Sequence, residues 1–206
     1  TRCDWRIRKR EMDYTNLMTV KEAIGATELA DDALLSRIIT AASRMIDRYC
    51  AGAKATDYFA GAAVAEEAGT GVISSRSELH VYPLKPLVTA VLALSYRAAP
   101  GQPWRDVDVS DVVINSYEVI AALNESVARG IVRTKISYTG GYGATVADLP
   151  PDLVEAATVL AVRLYREVKS GLTDTIGVAE LGMLAYTKAW PVRVTEMLQP
   201  WKRVRC

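Results

Sequence analysis

"YTGGYGATVADLPPDL", Tyr138 to Leu153, sets three glycines within residues 140–143, between a Val/Ile/Tyr-rich run and an apolar pattern of helical period. A glycine turn at a strand-to-helix junction either cradles a phosphate or simply turns the chain, and the two define different proteins. A phosphate loop of the G-x-x-x-x-G-K-[ST] type needs Lys-Ser or Lys-Thr after its glycines, and neither follows here. The dinucleotide pattern G-x-G-x-x-G reaches Gly141 and Gly143, then meets Val146 in its third place. Asp148, Asp152 and Glu155 stand in or near the first turn of the next helix, where they complement its dipole and would repel a phosphate. The glycines therefore end a strand, and a Pro-Pro-Asp helix start follows.

Working outward, Leu153, Ala156, Ala157, Leu160, Leu164 and Val168 form an apolar stripe that predicts a helix stopping at Gly171. Upstream, "ELHVYPL", "LVTAVLALSYR", "VVINSYEVIAAL" and "IVRTKISYTGG" predict three to five strands over about 78–140, with Pro83 and Pro86 bracketing a turn. Residues 51–78 are rich in Ala and Gly and offer little to a core, so they are expected to be a loop or a loose hairpin. Before them, Leu34, Leu35, Ile38, Ile39, Ala42, Met45, Ile46 and Tyr49 recur at three and four, ahead of Gly52. The opposite face, Ser36, Arg37, Thr40, Ser43, Arg44, Asp47 and Arg48, has the composition of a solvated surface. Thr19 and Glu22 have capping-box spacing for a short helix ending at Gly25. A short helix over about Pro191–Leu198 is broken by Pro200, and the segment "TDTIGVAELGMLAYTKAW" is expected to be extended or loop.

Helices, then strands, then helices, without β-α-β alternation, predict an α+β fold: a small helical bundle with an inserted antiparallel β-strand region. With 206 residues, half of them apolar, the chain suits one ordinary globular domain. No run is long and apolar enough to predict a membrane span. Cys3, Cys50 and Cys206 have no metal-site or disulfide spacing, which fits a reducing cytoplasm. The net charge of +1 hides an uneven distribution: +4 over residues 1–10, +3 over 201–206, and −6 over the body between them. Basic ends on an acidic body are solvated tails, or arms offered to a partner.

Chemistry is sparse. His80, the one histidine, excludes any histidine pair and reads as a strand side chain. No Ser lies in G-x-S-x-G, and the pairs Asp106/Asp108 and Glu66/Glu67 fall on loop-like segments. No catalytic, cofactor or metal residue is assigned; an enzyme would need a carboxylate-based site assembled by the fold. Trp190 and Trp201 flank the last short helix, and Trp201 sits in the charged "PWKRVRC". It either folds back on the core or anchors a partner.

Three blocks, "LMTVKEAIGA…DDALLSRIITAASRMIDRYCAG", "LHVYPLKPLVTAVLAL" and "ISYTGGYG…LPPDLVEAATVLAVRLYREVKSG", together with the terminal "PVRVTEMLQPWKRV", resemble in order and type the head–tail connector, or adaptor, proteins of long-tailed bacteriophages. The blocks cover a little over half the chain, and their order carries the resemblance. It implies a non-enzymatic virion protein without cofactors, assembled in the host cytoplasm into a dodecameric ring at the neck. That ring would bind the portal protein on one side and a tail or stopper protein on the other, while DNA passes through without specific binding. Residues 1–16 depart from the family as an added basic extension that inherits nothing from it; the resemblance implies an adaptor domain over 17–200 with helices in 17–50 and 151–170, and a C-terminal arm over 201–206. Trp201, Lys202, Arg203, Val204 and Arg205 would bind the portal, and Arg37, Arg44, Asp47 and Arg48 would form a subunit or lumen face. A tail-completion or stopper protein, a carboxylate-site enzyme and a DNA-binding module are the alternatives.

Overall fold

The computed structural model describes residues 12–25, 30–52, 57–115, 117–124, 127–170 and 190–203. The chain divides into two compact units: Tyr58–Ala144, and the residues on either side of that segment.

The flanking residues form the helical unit. Its elements are α1 (Leu17–Ile24), α2 (Asp32–Ala51), α3 (Pro151–Ser170) and α4 (Val192–Leu198). A 3-10 turn precedes α3, and another, Gln199–Trp201, follows α4. The cap of α1 is Asn16, whose side chain accepts from the Thr19 N–H at 2.9 Å; the Thr19/Glu22 spacing had suggested a start slightly later. Gly25 ends α1 in the left-handed conformation. α2 and α3 pack on each other, α4 packs on α3, and α1 contacts both long helices. Leu35, Ile38, Ile39, Ala42 and Ile46 of α2 are buried, as are Leu153, Ala156, Ala157 and Leu160 of α3 and Val194 and Leu198 of α4. Each fully buried Leu or Ile contributes about 1.5–3 kcal/mol.

Residues 12–16 are part of this unit, although the sequence pattern placed them in the basic extension. Tyr14 is fully buried; its N–H donates to Ser43 Oγ at 2.9 Å, and its hydroxyl donates to Asp47. Thr15 and Thr158 share a buried hydroxyl hydrogen bond of 2.8 Å, which ties this segment to α3.

The second unit is a seven-stranded antiparallel sheet curled into a half-barrel. Its strands are β1 (Ala62–Ile73), β2 (Glu78–Val81), β3 (Ala90–Arg97), β4 (Arg105–Val107), β5 (Val113–Asn115), β6 (Glu118–Ala122) and β7 (Gly130–Gly140), in the spatial order β4-β3-β7-β1-β2-β6-β5. The expected fold, a small helical bundle with an inserted strand region, is corrected by this sheet. The fold is sheet-rich, and the strands build a core of their own. Ile73, Leu79, Val81, Leu94, Tyr96, Val119, Val132, Ile136 and Tyr138 are buried in it.

The largest discrepancy is β1, which occupies part of the segment expected to be a loop. Its sequence, AAVAEEAGTGVI, lacks the alternation that marks a half-buried strand. Pairing with β2 and β7 on its two sides supplies the hydrogen bonds that hold it extended. Small residues suit this central position: a Cβ at Gly71 would come within 2.9 Å of the His80 carbonyl oxygen and of the Thr134 methyl. β4 takes in Asp106, on a segment expected to be loop-like, and the "VVINSYEVIAAL" run divides into the β5–β6 pair. Register shifts between Val64 and Glu67 on β1 and between Val91 and Ala93 on β3 mark bulges. Bulges bend strands and add twist, which accounts for the curl. The edge strands β4 and β5 are only three residues each, a length that resists edge-to-edge pairing.

The glycine stretch that opens the question of function is a chain crossing. Gly141 donates its N–H to Pro86 O at 2.7 Å, Tyr142 donates to Phe59 O at 2.9 Å, and Gly61 donates to Gly143 O at 2.6 Å. A Cβ on Gly141, whose φ is +93°, would fall 2.3 Å from the Ala60 carbonyl oxygen. These amides are spent on the protein's own carbonyls, and the glycines are required because two backbones touch. Among the described residues, no helix is long and apolar enough to cross a membrane.

Candidate functional site

The residues singled out on α2 divide. Arg37 and Arg48 are exposed, whereas Asp47 is fully buried and Arg44 nearly so. Asp47 accepts from the Tyr14 hydroxyl, from the Asp57 N–H at 3.0 Å and from Arg44 Nη1 at 3.1 Å. Arg44 Nη1 also reaches Asp57 Oδ1 at 2.8 Å, and Nη2 donates to the Met12 carbonyl. Asp57 Oδ1 accepts the Met12 N–H as well, at 2.9 Å. Burial lowers the Arg44 pKa, but Asp47, Asp57 and Tyr14 outweigh it and hold the group above its ordinary value. This half of the polar face is an internal brace joining residues 12–14, α2 and Asp57.

Arg48, on the other half, meets the C-terminal segment. The Arg203 N–H donates to Cys50 O at 2.8 Å, and Lys202 N–H donates to Gln199 O at 3.3 Å. The first bond seats the segment on the last turn of α2, where the carbonyl end of the helix dipole favours cations, and the second closes the turn within the segment. The result is a cleft of about 500 Å³ lined by Arg48, Tyr49, Cys50, Gln199, Lys202 and Arg203. None of the described residues lining it is acidic. Tyr49 stacks on Trp190 with ring centroids 4.8 Å apart, and Lys202 Nζ lies 5.2 Å from the Tyr49 centroid. Neither Arg48 nor Lys202 has an ion-pair partner among the described residues. At the cleft floor, burial pushes the Cys50 thiol up to about 12, with Asp47 adding to the rise and Lys202 opposing it.

Trp201 is half-buried and donates its indole N–H to Asp152 Oδ2 at 2.9 Å, so it folds back onto the start of α3. Val204 and Arg205 lie outside the described residues. Sequence reasoning named Arg48 and Lys202 but in separate roles, and it took Tyr49 for a core-stripe residue. The long-range bond between Arg203 and Cys50 and the contact of Lys202 with the Tyr49 ring bring them together.

His80 lies on β2 with Nδ1 2.8 Å from Glu118 Oε1. That hydrogen bond is the main cause of the lowered Glu118 pKa. Glu67 accepts from the Tyr138 hydroxyl at 2.6 Å and from the Leu84 N–H at 2.8 Å, a tie within the sheet unit. Among the described residues, no group of three His, Cys, Asp or Glu side chains is placed to hold a metal ion.

No protein-family model matches the chain, and no curated protein sequence matches it. Solved structures are similar, among them the three that follow. The neck of an empty gene transfer agent particle, computed with C6 symmetry, contains a chain 21% identical, covering 92% of this chain and 89% of that one, with a TM-score of 0.49. A native gene transfer agent virion contains one 22% identical over the same shares, also at 0.49. The neck of a native particle, computed with C12 symmetry, contains one 20% identical over 95% and 96%, at 0.42. At such TM-scores the likeness is loose.

Proposed function

We propose that the protein is a structural, non-enzymatic head-completion adaptor of a phage-like particle. Copies form a ring, a dodecamer by the family resemblance, seated in the virion neck between the capsid portal and the tail. Support comes first from the sequence blocks that resemble adaptors, whose order is kept through α1, α2, β2, the end of β7, α3 and the segment after α4. Trp201 folds back on the helical unit, so the observation that carries the reading is the exposed basic pair that this seating presents. Arg203 is bonded to the end of α2 and Trp201 to the start of α3, so Lys202 stands beside Arg48 at one surface of the helical unit. Such a surface serves to dock another chain. The charge of −6 over residues 11–200 suits a channel through which DNA slides, since cationic contacts to phosphates are what make DNA stick.

The test is co-purification with the portal ring of the same particle, followed by imaging. The expected result is a ring of this protein on the portal, lost when residues 199–206 are deleted. A stable monomer that ignores the portal with or without those residues overturns the reading. Binding to tail components alone would make the protein a stopper.

A further inference from the structure

The cleft at the end of α2 gathers Arg48, Lys202 and Arg203, with no acid among the described residues that line it. Arg48 and Lys202 are both exposed, and neither has an ion-pair partner among the described residues. What holds them is weaker than a carboxylate: the carbonyl end of α2 for both, and the Tyr49 ring for Lys202. Cations held by a dipole and a π-face keep their charge available to an incoming anion.

The shape and the aromatic wall decide which anion. A concavity of about 500 Å³ admits one or two side chains of a peptide, whereas a duplex presents a convex phosphate backbone that cannot enter. Base stacking is closed off as well. One face of Tyr49 is stacked on Trp190, and the ammonium of Lys202 lies over the ring. The acidic body opposes a long polyanion further.

We propose that this cleft binds an acidic segment of a partner protein, with carboxylates paired to Arg48 and Lys202 and an aliphatic stem lying against Tyr49, which lines the cleft. The inference rests on the docking role proposed above for the identity of the partner and deepens it by naming the partner's chemistry. Exposed charge pairs alone are worth little; a cleft that holds both cations, with no acid among its described lining residues, raises their value.

The experiment is fluorescence anisotropy of the full chain at low salt with three probes: a labelled oligoglutamate peptide, an oligoglutamine peptide of the same length, and a short DNA duplex. The variants are Arg48→Gln/Lys202→Gln and, as a control with one exposed charge removed elsewhere on α2, Arg37→Gln. Far-UV circular dichroism confirms that each variant is folded. Oligoglutamate is expected to bind and oligoglutamine not to. The double variant should weaken oligoglutamate binding by roughly tenfold or more, while Arg37→Gln leaves it unchanged. Absence of oligoglutamate binding, equal losses in Arg37→Gln, or tighter binding of the duplex with the same dependence on Arg48 and Lys202 would each overturn the proposal. Peptide binding that survives alongside a failure to engage the portal would remove the neck assignment and leave the cleft's chemistry standing.

Discussion

Replacing Asp47 with Ala removes the centre of the internal brace. The Tyr14 hydroxyl and the Asp57 N–H lose the buried carboxylate they donate to, while Arg44 keeps Asp57 and the Met12 carbonyl. Breaking a buried ion pair from one side costs about 3–5 kcal/mol, and the surviving Arg44–Asp57 contact places this change near about 3 kcal/mol. For a chain of this size that is a fall of about 6–12 °C in Tm, at roughly 2–4 °C per kcal/mol. The assay is urea and thermal unfolding followed by far-UV circular dichroism, read on the helical transition because the brace lies within the helical unit. A double-mutant cycle with Tyr14→Phe should return a coupling of about 1–3 kcal/mol, since the two side chains share one hydrogen bond in a dry site. A loss below about 1 kcal/mol for Asp47→Ala, or additivity in the cycle, would show that water replaces the carboxylate and that the brace is not a stabilising unit.

Other outcomes follow from single features. Asp31 accepts from Lys169 at 2.8 Å and from the Tyr165 hydroxyl at 2.6 Å, and its pKa is lowered chiefly by the Lys169 bond. Its contribution is therefore present above the ordinary carboxylate range and lost as pH falls through the lower, folded value; Asp31→Asn should flatten the acid limb of the stability–pH curve, and an unchanged limb counts against the tie. Cys50, with its pKa at about 12, should resist a thiol reagent at mildly alkaline pH in a Cys3→Ser/Cys206→Ser background and react only on unfolding; prompt labelling of the native protein would contradict its burial. Gly141→Ala should cost about 4 kcal/mol or more in the sheet unit, against about 1–2 kcal/mol for Gly101→Ala, which has positive φ but open space around it; chemical denaturation that finds the two equal would refute the backbone-contact argument.

The helices were legible where apolar residues recur at three and four. Leu35, Ile38, Ile39, Ala42 and Ile46 fall on the buried side of α2 as the spacing requires. β2, β3 and β7 were legible from their β-branched and aromatic content. β1 was not, because its extension is imposed by the strands on either side and its own Ala and Gly residues carry no period. Asp47 and Arg44 share the spacing of the solvated residues around them, and nothing local to α2 indicates that Tyr14 and Asp57 close over them. For the cleft, the cations were visible but their meeting was not, since Cys50 and Arg203 lie far apart in the chain.

The crossing of Gly61 under Gly143 has a topological consequence. It fastens the first residues of the sheet unit to its last, with Ala60 bridging Gly143 and Tyr142 bonding Phe59. A module that enters and leaves through one clasp imposes little loop-closure entropy on the helices it interrupts, however long it grows. The half-barrel is thus a cassette: the sheet can be lengthened, trimmed or exchanged beyond the clasp without lengthening the excursion that begins after Asp57 and ends before Thr145.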